Sequence, residues 1–262
     1  MAPGKALIED LKAATASTAI IACTAFAWRA AFPYGDVSLV VLLPMFLTVF
    51  LGARDLDLQQ WHAIRGLVLK EAFLGSRWFT GKLRAFLLSF ALAAATIALA
   101  AWQFVSVTRE QLIGLILVGG ISGFLALQAE TTLRRQLNQP FNRRMSASLT
   151  TWGLSLTFVP LYALIVWQEA QDGRLLQASF PDVVDIGLQR FDQIPGAVGS
   201  FLSGMNVIDS AKLWLTVETR IQPLSSIIFS LDSALFCILY VRGSIMMVHV
   251  FKPTFQDRPN DR

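Results

Sequence analysis

A single carboxylate, Asp232, stands inside a long apolar stretch that runs from Pro223 to Phe251. A charged side chain at the centre of a bilayer costs at least about 2.5 kcal/mol, so this one should face protein or water and not lipid. Ser226 and Ser230, four residues apart, share one side of the same predicted helix. The group predicts either a proton or cation site, with Arg29 as a possible ion partner, or a carboxylate that neighbouring hydroxyls satisfy and that fixes helix packing.

Two arginine pairs, Arg134-Arg135 and Arg143-Arg144, form the second group that could bind a ligand. Each basic residue near an anionic membrane surface contributes about 1 kcal/mol, so the pairs could bind lipid headgroups. They could also dock a soluble partner, or serve only to determine topology. Trp61, which follows helical spacing in another polar connection, is a further candidate for lipid or partner contact.

No catalytic or cofactor-binding motif is present in the sequence. It lacks a Ser-His-Asp set, GxSxG, HExxH, a P-loop and a dinucleotide-binding fingerprint. The cysteines, Cys23 and Cys237, lie in apolar runs outside any metal spacing, and the histidines, His62 and His249, are far apart. We therefore expect a protein that is not an enzyme and that has no cofactor, metal site or structural disulfide.

The composition argues against a water-soluble protein. The chain is 54% hydrophobic and 15% charged, with a mean hydropathy of +0.53, whereas about a quarter of the residues in a globular chain are charged. The apolar residues are gathered into runs too long for core strands or helices. The pI of about 9.3 comes from basic residues between these runs, and no basic-aromatic module is present, so nucleic-acid binding is not expected.

The apolar runs predict an all-α, polytopic integral membrane protein with one membrane domain over residues 1–262. Six transmembrane helices are predicted, at about 13–32, 37–53, 85–107, 112–129, 147–167 and 224–241. An amphipathic lead over residues 5–12 precedes the first helix. The external segment 168–222 alternates apolar and acidic residues, which predicts two or three short amphipathic helices that rest on the outer leaflet or dip between the spans.

Several local signals refine these spans. The sequence at residues 33–36 predicts a turn, and Pro44 predicts a kink in the second span. Apolar residues at helical spacing over 58–72 predict an interfacial helix between spans two and three. Gly119 and Gly123 predict close packing of span four against span three in an antiparallel hairpin, with a dimer interface as the alternative.

The distribution of basic residues predicts the orientation. If the N-terminus is inside, the inside segments hold 16 of the 22 Lys and Arg residues; these segments are 1–12, 54–84, 129–146 and 242–262. The external segment 168–222 holds seven acids against four bases. Under the positive-inside rule this predicts six spans with both termini in the cytoplasm, in a membrane of the bacterial inner (plasma) membrane type.

Three functions fit this outline. The predicted topology is similar to that of the permease subunits of ABC-2-type exporters, and the resemblance implies a separate ATPase, a second permease copy and a coupling segment over residues 58–73. The second hypothesis is a non-transporting scaffold subunit of a secretion or conjugation complex in the envelope. The third is a proton or ion pathway that uses Asp232. The expected partners are membrane lipids and other protein subunits, in a hetero-complex or a homo-oligomer.

Overall fold

A computed structural model describes the backbone of residues 3–68, 81–138, 141–170, 179–218 and 222–255. Side chains are described within residues 6–65, 81–138, 141–161, 179–212, 214, 231 and 233–252. In these ranges the protein is helical apart from short connections and contains no strand. The prediction of an all-α protein is therefore confirmed for the described part of the chain.

Eight α-helices and one 3-10 helix are formed by the described residues. In chain order they are α1 (Pro3–Ala31), the 3-10 helix (Phe32–Leu42), α2 (Leu43–Val68), α3 (Lys82–Ser106), α4 (Arg109–Leu133), α5 (Phe141–Ala170), α6 (Phe180–Gln189), α7 (Gly196–Glu218) and α8 (Gln222–Phe255).

Four stretches of the described residues are long and apolar enough to cross a membrane: Ala6–Arg65, Lys82–Ser106, Arg109–Leu133 and Ser233–Lys252. They indicate a membrane-embedded protein. The first stretch contains 60 residues. As one straight helix it would measure about 90 Å, roughly three times the thickness of the hydrocarbon core, so the chain must turn within it. The predicted spans 147–167 and 224–241 include side chains outside the described part.

The turn between α1 and α2 lies at Gly35. This residue has φ 69° and ψ −140°, a conformation outside the helical region that residues with a side chain rarely adopt. A Cβ atom at Gly35 would also lie 2.5 Å from the carbonyl oxygen of Pro195. The turn predicted at residues 33–36 is therefore confirmed. Pro44 does not interrupt a helix as predicted. It lies in the first turn of α2, where its missing N–H has little cost.

The last helix, α8, is the centre of the bundle and packs against α1, α2, α3, α4, α5 and α7. Its buried side chains include Tyr240, Ile245 and Met247. The backbones of α2 and α8 approach most closely at Gly52, where a Cβ atom would lie 2.1 Å from the carbonyl oxygen of Met246. Small residues permit such crossings between apolar helices, where packing drives association.

The glycines of α4, Gly119, Gly120 and Gly123, pack against α1 and α8. A Cβ atom at Gly120 would lie 2.4 Å from Oγ1 of Thr18, and one at Gly123 would lie 3.2 Å from Cβ of Val248. The prediction that these glycines face span three is therefore wrong. A short link reverses the direction of the chain between α3 and α4, but it does not decide which helices become lateral neighbours.

Helix α3 packs mainly against α2 instead, and four phenylalanines lie at their interface. The ring centroids of Phe46 and Phe90 are 5.6 Å apart, and those of Phe50 and Phe86 are 5.4 Å apart, both pairs in an edge-to-face arrangement. Aromatic pairs in this geometry add about 0.5–1.5 kcal/mol beyond the burial of their area. This interface holds α3 beside α2 in the bundle.

Helices α6 and α7 lie within the predicted external segment, pack against each other and close one end of the bundle. Trp102 Nε1 donates to Oδ2 of Asp209 over 2.7 Å, and the backbone N–H of Val198 donates to Oδ1 of Asp36 over 2.9 Å. Asp36 thereby caps the N-terminal turn of α7. We call this the Trp102 end of the bundle. Residues 171–178 and 219–221 of the segment lie outside the described part.

Two predicted amphipathic helices are not separate elements. The lead at residues 5–12 belongs to α1, and residues 58–68 continue α2 without interruption. The remainder of the predicted interfacial helix, residues 69–72, lies outside the described residues. Separate interfacial helices are therefore not confirmed in these two segments.

Candidate functional site, a buried ionic cluster

Glu130, near the C-terminal end of α4, has a side chain that is 0% exposed. Four basic side chains surround its carboxylate. Lys252 Nζ and Arg134 Nη2 each lie 3.1 Å from it, Arg143 Nε lies at 3.4 Å and His249 Nδ1 at 3.7 Å. A desolvated carboxylate needs paired charges and hydrogen bonds to be stable, and helices α4, α5 and α8 supply them here.

Lys252 connects this carboxylate to a second buried acid on α1. Its side chain is 3% exposed, and its Nζ lies 3.6 Å from Oδ1 of Asp10 as well as 3.1 Å from Oε2 of Glu130. Gln128 Nε2 also donates to Asp10, over 3.4 Å. The ammonium group of Lys252 therefore lies between two buried carboxylates, and α1 joins α4, α5 and α8 at the same point.

Arg143 extends the contacts to α2. Its Nη1 donates to Oε1 of Gln59 over 3.3 Å and lies 4.0 Å from Oδ2 of Asp55. Gln59 in turn donates to Asp55 over 2.7 Å. Side chains from α1, α2, α4, α5 and α8 are thus tied together at the end of the bundle opposite Trp102. We call Asp10, Glu130, Arg134, Arg143, His249 and Lys252 the Glu130 cluster.

The first turns of α1 are oriented so that their acidic side chains face the interior of the protein. Glu9 and Asp10 are buried, while Leu7, Ile8 and Leu11 are about half exposed. In a water-soluble protein the apolar side of an amphipathic helix would face the core. The inverted arrangement suits a helix whose outer side touches lipid and whose inner side serves the cluster. The predicted amphipathicity of this lead is therefore present, with its polar residues directed into the protein.

His249 is the least satisfied member of the cluster. It is buried, and neither of its ring nitrogens has a hydrogen-bond partner among the described residues. The distance of 3.7 Å from Nδ1 to Glu130 is longer than a hydrogen bond. A buried polar group without a partner calls for an explanation, and proton exchange is one chemistry that a histidine provides.

The predicted site residues of the last span are not tested by this geometry. The side chains of Ser226, Ser230 and Asp232 lie outside the described part of α8. Arg29, proposed as an ion partner for Asp232, donates from Nε to the carbonyl of Phe104 and from Nη2 to that of Val107. A guanidinium at this position satisfies carbonyls at the C-terminal end of α3 and complements its dipole.

The arginine pairs separate into two environments. Arg134 and Arg143 bind Glu130, whereas Arg135 and Arg144 are exposed. The predicted contact with lipid or a partner stays a prediction for the exposed members. Trp61, the other residue in that prediction, is half-buried, and the Arg84 guanidinium lies over its ring, 5.2 Å from the centroid.

Sequence reasoning missed Glu130, Lys252, Asp10 and His249 as a group. Their one local signal is position: Asp10 and Glu130 lie just outside predicted spans one and four, and His249 and Lys252 lie at the end of the apolar stretch that runs to Phe251. Polar residues at span ends usually face the membrane surface, so that signal alone does not separate buried from solvated side chains.

Comparison of the chain with protein-family models, curated proteins and solved structures gave no match. The geometry of the chain's own residues is therefore the basis of the function proposed below.

Proposed function

We propose that the chain is an integral membrane subunit of a transport or export system, in which the Glu130 cluster is an ionic lock between helices. The observation that carries the proposal is the complete burial of Glu130 between basic groups of two other helices, Lys252 of α8 and Arg143 of α5. Apolar side chains of similar volume would often hold these helices together as well or better. Buried ionisable residues in membrane proteins mark functional sites by default.

Two basic side chains of the cluster each have two carboxylates within reach, which supports an ionic lock that can open. Lys252 lies within reach of both Glu130 and Asp10, and Arg143 lies within reach of both Glu130 and Asp55. A base with two neighbouring acids can exchange one for the other when its helix shifts. Repacking of salt bridges accompanies rigid-body movements in many proteins that switch between two states.

The two ends of the bundle support the predicted topology of six crossings. The Glu130 end gathers Asp10, Asp55, Arg143 and Lys252, which come from four segments predicted to be cytoplasmic or to border the cytoplasm. At the Trp102 end, Asp36, Val198 and Asp209 come from segments predicted to be external, and Trp102 comes from the outer part of predicted span three. This partition is expected when the chain crosses the membrane an even number of times and the positive-inside rule sets its direction.

Isolation in mild detergent tests the proposed class of function. A tagged copy is purified from membranes of the organism that makes it, and the co-purifying proteins are identified. Recovery of an ATPase, with an association that depends on nucleotide, is the result expected for a permease-like subunit. Recovery of a stable multi-protein assembly that nucleotide does not affect supports the scaffold function instead. A chain that is isolated alone, without any other protein, contradicts both.

A proton or ion pathway is the second candidate, and the surroundings of His249 favour it. A buried imidazole without hydrogen-bond partners among the described residues, 3.7 Å from a buried carboxylate, can take up and release a proton. Proton flux into proteoliposomes tests this function, with Asp232→Asn and His249→Gln as variants and Arg135→Gln as the control. Flux that neither Asp232→Asn nor His249→Gln reduces would contradict it.

A further inference from the structure

A cavity of about 270 Å³ lies between α2, α3, α5 and α8. Three arginines line it, Arg84, Arg144 and Arg242, together with a single acid, Asp57. The remaining wall is mostly apolar and includes Met246. Since one water molecule occupies about 30 Å³ of liquid, the cavity has room for a phosphate group and the atoms next to it.

The charges of this cavity are not balanced. Arg84 Nη2 lies 3.8 Å from Oδ1 of Asp57, and the second carboxylate oxygen of Asp57 is buried without a hydrogen bond. Within the described part of the chain, no carboxylate lies within 4 Å of Arg144 or Arg242. The lining therefore carries two positive charges more than its own acid can neutralise. Guanidinium groups bind carboxylate and phosphate oxygens in a bidentate manner, and phosphate is the one of these two anions that every phospholipid headgroup carries.

The position of the arginines along the chain indicates the depth of the cavity in the membrane. Arg84 directly precedes predicted span three, Arg144 lies three residues before span five, and Arg242 directly follows span six. Arg84 and Arg144 are exposed, and Arg242 is half-buried. Basic pockets between transmembrane helices on the cytoplasmic side are a common way to hold anionic lipid headgroups.

An exposed apolar surface adjoins the cavity. Leu88, which belongs to the cavity wall, is about half exposed, and so are Phe86, Leu87 and Phe90 on the same helix, α3. A ligand with both a phosphate and hydrocarbon chains would cover the two surfaces at once. A free phosphate ion would use the arginines alone.

We propose that this cavity binds the phosphate of an anionic phospholipid headgroup, with the acyl chains lying along the exposed apolar face of α3. The site is separate from the Glu130 cluster, and it does not depend on the transport function proposed above. It requires that the protein is embedded in a membrane.

Binding of defined lipids to the purified protein in detergent tests the proposal. The protein is titrated with phosphatidylglycerol, phosphatidylcholine or inorganic phosphate, and bound lipid is counted by native mass spectrometry. One phosphatidylglycerol should bind at least tenfold more tightly than phosphatidylcholine. Arg84→Gln and Arg144→Gln should each weaken that binding about fivefold, the effect of about one basic contact near an anionic lipid. Asp57→Asn should strengthen it, because it removes the competing acid.

Arg109→Gln is the matched control. It removes the same charge from an exposed arginine that does not line the cavity, and it should leave phosphatidylglycerol binding unchanged. Equal weakening by Arg109→Gln and Arg144→Gln would mean general charge attraction and would overturn the proposal. So would full displacement of the lipid by millimolar inorganic phosphate, which would identify the free ion as the ligand. Size-exclusion profiles and circular dichroism of each variant show whether it is folded, and a folded Arg144→Gln variant with wild-type affinity also overturns it.

Discussion

The Nζ atom of Lys252 lies 3.1 Å from Oε2 of Glu130, and both side chains are almost completely buried. The two residues are 122 positions apart in the sequence. They join the last turns of α4 and α8, the two helices that the central packing of the bundle brings side by side. Because each charge is removed from water, each depends on the other for its stability.

Removing the charge of one of these two residues should therefore lower the free energy of unfolding more than removing both charges. We expect Glu130→Gln to lower the free energy of unfolding by about 3–5 kcal/mol, because three buried or half-buried bases are left without their carboxylate. The double variant Glu130→Leu with Lys252→Met should be less destabilised than either single charge deletion. Unfolding in detergent micelles, followed by circular dichroism, measures the double variant together with the single variants Glu130→Leu and Lys252→Met, which close the double-mutant cycle. A double variant that shows the full sum of the single effects would contradict the coupling.

The two arginines of the cluster should differ in importance. Arg143 has a side chain that is 13% exposed, against 41% for Arg134. Water screens the charge of the partly exposed Arg134, so Arg134→Gln should have the smaller effect. Arg143→Gln should be several times more destabilising, because it also removes the contact with Gln59 on α2. Thermal unfolding of the two variants at the same salt concentration checks this order, and equal effects would contradict it.

The close crossing of α2 and α8 predicts a steric effect at Gly52. A Cβ atom there would lie 2.1 Å from the carbonyl oxygen of Met246, so Gly52→Ala should force the helices apart and destabilise the protein by about 1–3 kcal/mol. Gly114→Ala in α4 is the control, because a Cβ atom at Gly114 meets nothing within 4 Å. It should be neutral or slightly stabilising, since alanine favours helix more than glycine does. Similar losses for both variants would show that the helices are not in contact at Gly52.

The N-terminal turn of α6 predicts a pH effect at the Trp102 end of the bundle. The Ser179 hydroxyl donates to Oδ2 of Asp182, and the backbone N–H of Ser179 donates to the same oxygen over 3.0 Å. These two hydrogen bonds hold the pKa of Asp182 below its ordinary value. The hydrogen-bonded carboxylate should therefore contribute its full stability at pH values above the unfolded-state pKa of Asp182. That contribution should be lost as the pH falls through the lower folded-state pKa. Ser179→Ala removes the hydroxyl and should raise the pKa of Asp182, which titration of the carboxyl carbon by NMR measures. An unchanged pKa would contradict the assignment of the hydroxyl as a donor.

Accessibility of single thiols tests the sidedness of the two ends. In a background with Cys23→Ser and Cys237→Ser, a thiol in place of Arg135 should react with an impermeant maleimide only after the cells are opened. A thiol in place of Leu188 on α6 should react in intact cells, because both residues are exposed but belong to opposite ends of the bundle. Labelling of the Arg135→Cys variant from outside intact cells would contradict the predicted orientation.

The helices and the turn at Gly35 were predictable because their signals are local. Runs of apolar residues define the helices, and a Pro-Tyr-Gly-Asp sequence marks the turn. The neighbours of each helix were not predictable, since the phenylalanines of α2 and α3 and the glycines of α4 carry no information on which helix they will meet. The small side chains at Gly120 and Gly123 correctly indicated a close approach, but the partner helices were α1 and α8.

The candidate site was missed for a related reason. Asp232 is recognisable in the sequence because it interrupts an apolar run. Glu130 and Lys252 lie at the ends of such runs and resemble ordinary surface residues. Their burial follows from the packing of α1, α4, α5 and α8 at one end of the bundle, which only the three-dimensional arrangement defines. The sequence identified the paired arginines as a group, but not that Arg134 and Arg143 bind Glu130 while Arg144 lines the cavity.

The central place of α8 has a consequence for biosynthesis. The ribosome makes this helix after all the helices that it touches, so those helices are synthesised before the element that fills the space among them exists. During that interval Glu130 has its arginines but not its lysine. We expect a chain that ends before residue 252 to lack the Lys252–Glu130 contact and therefore to be less stable than the full chain.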